Sequence, residues 1–281
     1  MEVVRLTGFT GAQIVGVDLS ASIDDDTANR LRSCLDAHHV LVFPGQHLTI
    51  RQQLAVTQLF GDPVGLPYVT PMVDQPNVIA VLKEAHEVGD GVFGGDWHSD
   101  FSFLENPPAG SVLSAVELPP FGGDTVWANQ VTAYRTLPAH LREIVDGTAA
   151  VHVGAPYGVA HAPAESARSG ASIEMRRGDP EADRERLHPA VLTLPETGEQ
   201  ALFVNPIYTT RLASMTGEES APVLAEIYRH ATRPDLCYRH QWRVGDLVIW
   251  NNRAVMHYAT NDYDGHRRLL HRTTFRRSAP R

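Results

Sequence analysis

Hydrophobic and polar positions along this chain fall into short runs with a period near two, separated by a few stretches of helical period. Ala12 to Leu19 (AQIVGVDL) predicts a β segment. Asp24, Asp25 and Asp26 then open a helix with Leu31, Cys34, Leu35 and His38 at helical spacing, which makes His38 a partly buried helix residue. Val40 to Phe43 is a short apolar strand ended by Pro44-Gly45. Thr49-x-x-Gln52 is a capping box for a second helix, with Leu54 and Leu59 expected on its inner face. Val78 to Leu82 predicts a strand, and Lys83 to Gly95 is a polar, glycine-rich approach to the segment that follows.

Gly110 to Leu118 and Asp124 to Ala128 predict strands, and Gln130 to Asp146 a helical pair interrupted near Pro138. Ala149 to Val153 is a further β segment. Residues 156–188 carry many charges and no apolar period, which predicts a long loop acting as a lid. Ala190 to Leu194 and Ala201 to Val204 form a hairpin around Pro195-Glu196-Thr197-Gly198. A helix with Leu224, Ile227, Tyr228 and Ala231 on one face follows, capped by Thr216 with Glu219 or starting nearer Ser220 because of Pro222. Cys237 to Trp242, Leu247 to Trp250, Val255 to Ala259 and Arg267 to Phe275 close the chain as strands. Short strands at both ends, with helices between and outside, predict one mainly-β domain over residues 1–281, a sandwich or jelly roll with helical decoration.

Composition narrows the function classes. The 281 residues are 43% hydrophobic and 20% charged, an ordinary globular balance with enough chain for a large core. The formal charge of −9 argues against nucleic-acid binding through a basic surface. Two distant cysteines, Cys34 and Cys237, make no disulfide framework and point to a reducing cytoplasm. The N-terminus lacks a basic start followed by a long apolar run, and no apolar stretch is long enough to span a membrane.

The candidate chemistry centres on Trp97-His98-Ser99-Asp100. On a strand, the period of two would put His98 and Asp100 on one face. His257 in VMHY is the best third partner, giving two histidines and a carboxylate on one side of a metal, a set suited to oxygen-activating Fe(II). In the last strand, Arg268 and Arg272 share a face. If that face is interior, two guanidinium groups demand anions; an exposed edge strand whose charges deter aggregation would show the same pattern. Gly122-Gly123-Asp124-Thr125 supplies a tight turn into a strand, with a hydroxyl able to donate to a carboxylate.

Taken in order, the chain reads WHSDFSF, PPFGGDTVWAN, FVNPIYTTR, VIWNNRAVMHYATNDY and RRLLHRTTF. It resembles the taurine dioxygenase family, which includes the chlorophenoxyalkanoate dioxygenases, from VGVDLS near the N-terminus to RTTF. The resemblance implies a double-stranded β-helix using Fe(II), 2-oxoglutarate and O2. It implies His98, Asp100 and His257 as the iron ligands, Thr125 and Arg268 as the grip on the distal carboxylate of 2-oxoglutarate, and Arg272 as the arginine approaching a substrate anion. Three positions depart from the taurine enzymes. Leu66 stands where they place a histidine before a proline, Gly94 where they have an asparagine, and Asn251 breaks the usual W-D-N-R as Trp250-Asn251-Asn252-Arg253. These departures argue against taurine and for a more apolar pocket. Its candidate lining is Leu66, Tyr68, Val69, Gly94, Phe101, Phe103 and Tyr208, with core packing the competing role for the aromatic residues.

The implied reaction is hydroxylation, desaturation or a related C–H oxidation of a small anionic organic substrate, with release of succinate and CO2. The alternative within the class is an aryloxyalkanoate dioxygenase that cleaves an ether. Outside it stand a non-catalytic metal-binding jelly roll and a zinc hydrolase; the hydrolase leaves Thr125 and Arg268 unexplained. The presence of Asp100 argues against a halogenase. The resemblance also implies a homo-oligomer, dimer or tetramer, while the charge and the absence of a long apolar run predict neither nucleic acid nor membrane as partner.

Overall fold

The structure is a computed structural model and describes residues 1–89, 91–160 and 172–277. In chain order its strands begin with β1 (Glu2–Arg5), β2 (Ala12–Val15), β3 (Val40–Phe43), β4 (Asp62–Pro63), β5 (Val78–Lys83), β6 (Gly110–Glu117), β7 (Thr125–Asn129) and β8 (Ala149–His152). They continue with β9 (Arg186–Pro189), β10 (Val191–Thr193), β11 (Gln200–Leu202), β12 (Thr209–Leu212), β13 (Cys237–His240), β14 (Leu247–Asn251), β15 (Val255–Ala259) and β16 (Arg268–Arg276). The helices are α1 (Asp25–His38), α2 (Ile50–Phe60), α3 (Gln130–Arg135), α4 (Ala139–Val145) and α5 (Gly217–Ala231).

The large sheet runs β1-β2-β3-β14-β6-β16-β4, with β5 also pairing β16. A smaller sheet, β13-β7-β15, supplies the facing layer. Alternation in the large sheet sorts side chains between two cores. Val40, Val42, Val248 and Trp250 point inward to meet Trp127 and Val255 of the small sheet. Leu41, Phe43, Leu247 and Ile249 point outward onto Leu31 and Leu35 of α1 and Val56 and Phe60 of α2. A third cluster joins α3, α4 and α5 to β8, β11 and β12. This is the jelly-roll arrangement with helical decoration that the strand pattern predicts.

Several local expectations hold, and others shift. The Thr49 capping box is present, and Thr216 rather than Ser220 caps α5, with Glu219 closing its box. The inner face of α2 is not Leu54 and Leu59, which are only half-buried, but Gln53, Val56, Thr57 and Phe60. Two polar residues face inward because both find partners on β16: Gln53 Nε2 donates to His271 O at 2.9 Å, and Thr57 Oγ1 lies 2.6 Å from Thr273 Oγ1. Residues 156–188 are not one featureless loop. Arg186–Pro189 pairs with β8, Pro180–Asp183 forms a short 3-10 turn, and Val69 bridges Met175. Residues 161–171 of that expected lid lie outside the described residues. No helix among the described residues is long and apolar enough to cross a membrane.

Two buried histidines make stability depend on pH. Burial pushes His39, the left-handed residue that ends α1, down to about 4, and pushes His152 on β8 down to about 3. An unfolded histidine protonates near ~6.5. Both contributions are therefore complete above that pH and decline as pH falls towards the folded values, by roughly 2 kcal/mol each at pH 5. Urea midpoints should fall between pH 7 and pH 5, and His39→Asn, which tolerates the left-handed backbone, should show a shallower fall than wild type. An unchanged slope would remove His39 from the account.

Candidate active site

His98 and Asp100 do not sit on a regular strand, contrary to the strand expectation. His98 forms an isolated antiparallel bridge with His257 of β15, and Asp100 follows in a turn. The bridge has two backbone hydrogen bonds, His98 N to His257 O at 3.0 Å and His257 N to His98 O at 2.8 Å. It places the two imidazoles side by side, ring centroids 4.2 Å apart, while the neighbouring Trp97 and Tyr258 meet edge to face at 4.6 Å. The pairing of the chain across the bridge thus does what strand alternation was expected to do.

The turn brings Asp100 under both rings. Asp100 Oδ1 lies 3.5 Å from His98 Nε2 and 3.6 Å from His257 Nε2, and all three side chains are buried. Asn252 holds that turn: its Oδ1 accepts from Asp100 N at 2.6 Å, and its Nδ2 donates to Asp100 O and Pro108 O at 2.9 and 3.0 Å. His98 Nδ1 lies 2.7 Å from Asp96 O, which places its N–H there and leaves the Nε2 lone pair facing Asp100. Burial first, then the neighbouring His98 and Arg272, hold His257 well below the usual histidine range, so it is neutral at pH 7. Burial alone would raise the Asp100 carboxyl, but the Arg272 guanidinium and the two histidines keep it far below the usual carboxylate range. The donor set therefore fits a divalent cation: one carboxylate and two imidazoles, with all three donor atoms within 4.8 Å of one another. Metal bonds of about 2.0–2.2 Å put neighbouring donors about 3.0–3.5 Å apart, close to this spacing.

Asp100 Oδ2 faces the other way. Arg272 Nη2 pairs with it at 2.6 Å, and Ser111 Oγ donates to it at 3.1 Å. Arg272 and Arg268 both face inward from β16, which excludes the exposed-edge reading. Arg268 Nε donates to Gly123 O at 3.0 Å, while its Nη2 has no hydrogen-bond partner among the described residues. Burial pushes this guanidinium below its ordinary value. Gly123 has φ +68°, and a Cβ there would meet Arg268 Cδ and Nε at 3.0 Å, so the close approach of this turn requires glycine. Thr125, at the start of β7, lies in the same compartment as Arg268, Arg272, His98 and His257.

A second compartment opens on the other side of His98. Phe93, Gly94, Asp100, Phe101, Tyr157, Met175, Ile207 and Tyr208 are among its lining residues. Of the pocket positions expected from sequence, Gly94, Phe101 and Tyr208 border it. Leu66, Tyr68, Val69 and Phe103 stand behind them in the packed core; Phe103 lies 4.9 Å from Tyr208 and 5.7 Å from Tyr157, ring to ring. Gly94 has φ +74°, and a Cβ there would stand 3.1 Å from His98 Cε1. Sequence reasoning missed Tyr157, Met175 and Ile207, which lie in or beside loops with no period to flag them. It also missed Asn252, visible only as part of an altered W-D-N-R. Arg272 lines the Arg268 compartment, not the aromatic one. Among the other histidines, His152 and His240 are buried and hydrogen-bonded and His188 Nε2 donates to Leu104 O at 2.9 Å, so none is a bare surface residue; His161 lies outside the described residues.

Comparison with known proteins agrees with this geometry. A profile of the "Taurine catabolism dioxygenase TauD, TfdA family" matches residues 2–274. The chain belongs to this family of dioxygenases. It is 35% identical over 282 residues to the alpha-ketoglutarate-dependent sulfate ester dioxygenase of Pseudomonas putida, covering 100% of this chain and 91% of that protein. It is 34% identical over 276 residues to an alkylsulfatase of Acinetobacter baylyi, covering 98% and 84%. The crystal structure of a taurine dioxygenase from Burkholderia xenovorans superimposes with a TM-score of 0.77 at 31% identity, over 98% of this chain and 90% of that one.

Asn252 gives a test of how Asp100 is held. Asn252→Ala leaves the Asp100 N–H and two carbonyls buried without their partner and should cost about 2–3 kcal/mol of stability. It should also weaken Zn(II) or Mn(II) binding at least tenfold in a metal titration of the folded variant. Full metal affinity in a folded Asn252→Ala protein would show that the turn holds Asp100 without it.

Proposed function

We propose that the protein oxidises a small organic anion with an apolar body, and that taurine is not its main substrate. As a dioxygenase of this family it uses Fe(II), 2-oxoglutarate and O2, with succinate and CO2 as co-products. His98, Asp100 and His257 are the residues we assign to iron. Thr125 and Arg268 are assigned to the distal carboxylate of 2-oxoglutarate. The observation that carries this reading is the buried Arg268 Nη2 without a hydrogen-bond partner among the described residues, in a compartment that also holds His98 and His257 of a preformed two-histidine, one-carboxylate set.

With iron and 2-oxoglutarate bound, oxidative decarboxylation supplies the power to break a substrate C–H bond. The chain's own residues position and shield. Arg272 and Ser111 hold Asp100 Oδ2, so Oδ1 is fixed towards the histidines. The aromatic compartment takes the apolar body of the substrate and excludes water. Arg272, which stands in the compartment of Arg268 and pairs with Asp100, is the residue we assign to approach the substrate's anionic group, as the family resemblance implies. Relatives named for sulfate esters and alkyl sulfates favour an anionic O-alkyl group. Hydroxylation of the carbon bearing that oxygen would release an aldehyde and sulfate; the same step on an aryloxyalkanoate would cleave its ether.

We further assign residues 156–160 and 172–188 to a lid, since Pro156, Tyr157 and Met175 border the aromatic compartment. The two unpaired cysteines favour a reducing cytoplasm, the charge of −9 disfavours nucleic acid, and the family resemblance favours a homo-oligomer.

Anaerobic titration of the Fe(II) protein with 2-oxoglutarate tests the reading. A visible charge-transfer band should develop in wild type, and its half-saturation should rise at least tenfold in Arg268→Ala. Medium-chain alkyl sulfates, aryloxyalkanoates and taurine would then be compared by succinate formation, with taurine the poorest. Absence of the band in folded, iron-loaded wild type would overturn the assignment, and taurine as the preferred substrate would overturn the substrate reading.

A further inference from the structure

The Thr125 hydroxyl has one hydrogen-bond partner among the described residues, and that partner is a donor. Trp242 Nε1 lies 3.0 Å from Thr125 Oγ1. An indole N–H only donates, so the hydroxyl oxygen accepts here. The hydroxyl hydrogen is left without an acceptor among the described residues, although Thr125 is buried. A hydroxyl whose rotor is otherwise free is thereby restrained: the sector facing Trp242 is closed to its hydrogen. The remaining sector includes the compartment that Thr125 shares with Arg268.

Trp242 is itself clamped. It lies just past β13, where the ladder sets His240 opposite Thr125. The ring of His240 meets the indole edge to face, centroids 4.6 Å apart at 85°. His240 in turn is held at both nitrogens: Nε2 lies 3.2 Å from Asp246 Oδ2, and Nδ1 lies 2.8 Å from the Tyr238 hydroxyl. Asp246 Oδ2 also accepts from Arg243 N at 3.0 Å. A chain of fixed groups therefore runs from Asp246 through His240 and Trp242 to Thr125.

We propose that Trp242 is a positioning residue for 2-oxoglutarate, its indole N–H aiming the Thr125 hydroxyl at the distal carboxylate beside Arg268 while His240 and Asp246 hold the indole in place. The proposal rests on the assignment of Thr125 and Arg268 made above. It gives a function to a buried Asp–His–Tyr arrangement that the reaction itself does not use.

The test is equilibrium binding, read by the charge-transfer band of the anaerobic Fe(II) protein. Trp242→Phe keeps the aromatic contact and removes the donor. Its dissociation constant for 2-oxoglutarate should rise about tenfold, the scale of one charge-assisted hydrogen bond. Binding of 2-oxopentanoate, which has the same chain length but no distal carboxylate, should stay within twofold of wild type. In a Thr125→Val background, Trp242→Phe should add no further loss for 2-oxoglutarate. Melting temperature reports whether each variant is folded. If Trp242→Phe is not, Trp242→Tyr, which retains a ring against His240 but displaces the donor, should show the same pattern. Equal losses for both ligands, additive losses in the double variant, or unchanged 2-oxoglutarate binding would each overturn the proposal. Failure of wild type to bind 2-oxoglutarate would instead overturn the functional reading on which it rests.

Discussion

Two backbone hydrogen bonds between His98 and His257 carry the site. They join a loop that has no other regular pairing to the end of a fully formed sheet. They set the register that places the two imidazoles side by side. The flanking geometry supports the bridge from both sides. Ala259 N donates to Gly94 O at 2.8 Å just upstream, and Asn252 fastens the Asp100 turn just downstream. A histidine pair held by main chain is less free to drift than one held by side-chain packing alone, which suits a site that must present donors before a metal arrives.

Charge burial is the second constraint. Arg268 and Arg272 are taken out of water by the inward face of β16, and buried charges are costly without partners. The structure treats them differently. Arg272 is neutralised within the protein by Asp100, which also makes the carboxylate an anion fixed in one orientation. Among the described residues Arg268 donates to one carbonyl and lies beside Tyr263, with no carboxylate paired to it, and its Nη2 has no hydrogen-bond partner. One strand thus supplies both an internal counter-ion and an open binding group, at positions four residues apart on the same face.

This division explains what was legible in the sequence. The alternation of Arg268, Leu270 and Arg272 could be read directly because β16 is a regular strand with a buried face. The inward and outward sorting of β3 and β14 could not, because both strands are apolar runs buried on both faces. The clustering of His98, Asp100 and His257 was legible only through the order of several motifs, since His98 and Asp100 do not obey strand alternation; a bridge and a turn bring them together. Gln53 and Thr57 defeated the hydrophobic pattern of α2 because their buried polar atoms find partners on β16, a tertiary fact with no local signal. Trp242 and Asn252 act through hydrogen bonds to residues more than a hundred positions away, which a linear pattern does not display.

The two compartments differ in kind. The one around Arg268 is built largely from strand residues: Val81, Leu113, Thr125, Trp250, His257 and Arg272 all stand on named strands. The aromatic one is walled by Phe93, Tyr157, Met175, Ile207 and Tyr208, none of which lies on a named strand. Strand positions are tied to register, so altering one disturbs a ladder and the core behind it. Loop positions can change side chain, length and path while the sheets stay in place. A fold arranged this way can keep one oxidising chemistry while its substrate changes, and a single sequence will then reveal the cosubstrate more readily than the substrate. Phe101 sits at the join: it follows Asp100 directly, has φ 48°, and turns its ring into the aromatic wall against Tyr157 at 5.6 Å. The residue next to Asp100 in its turn is therefore also part of the aromatic wall, so a change in the position of that ring acts directly on the backbone that holds Asp100.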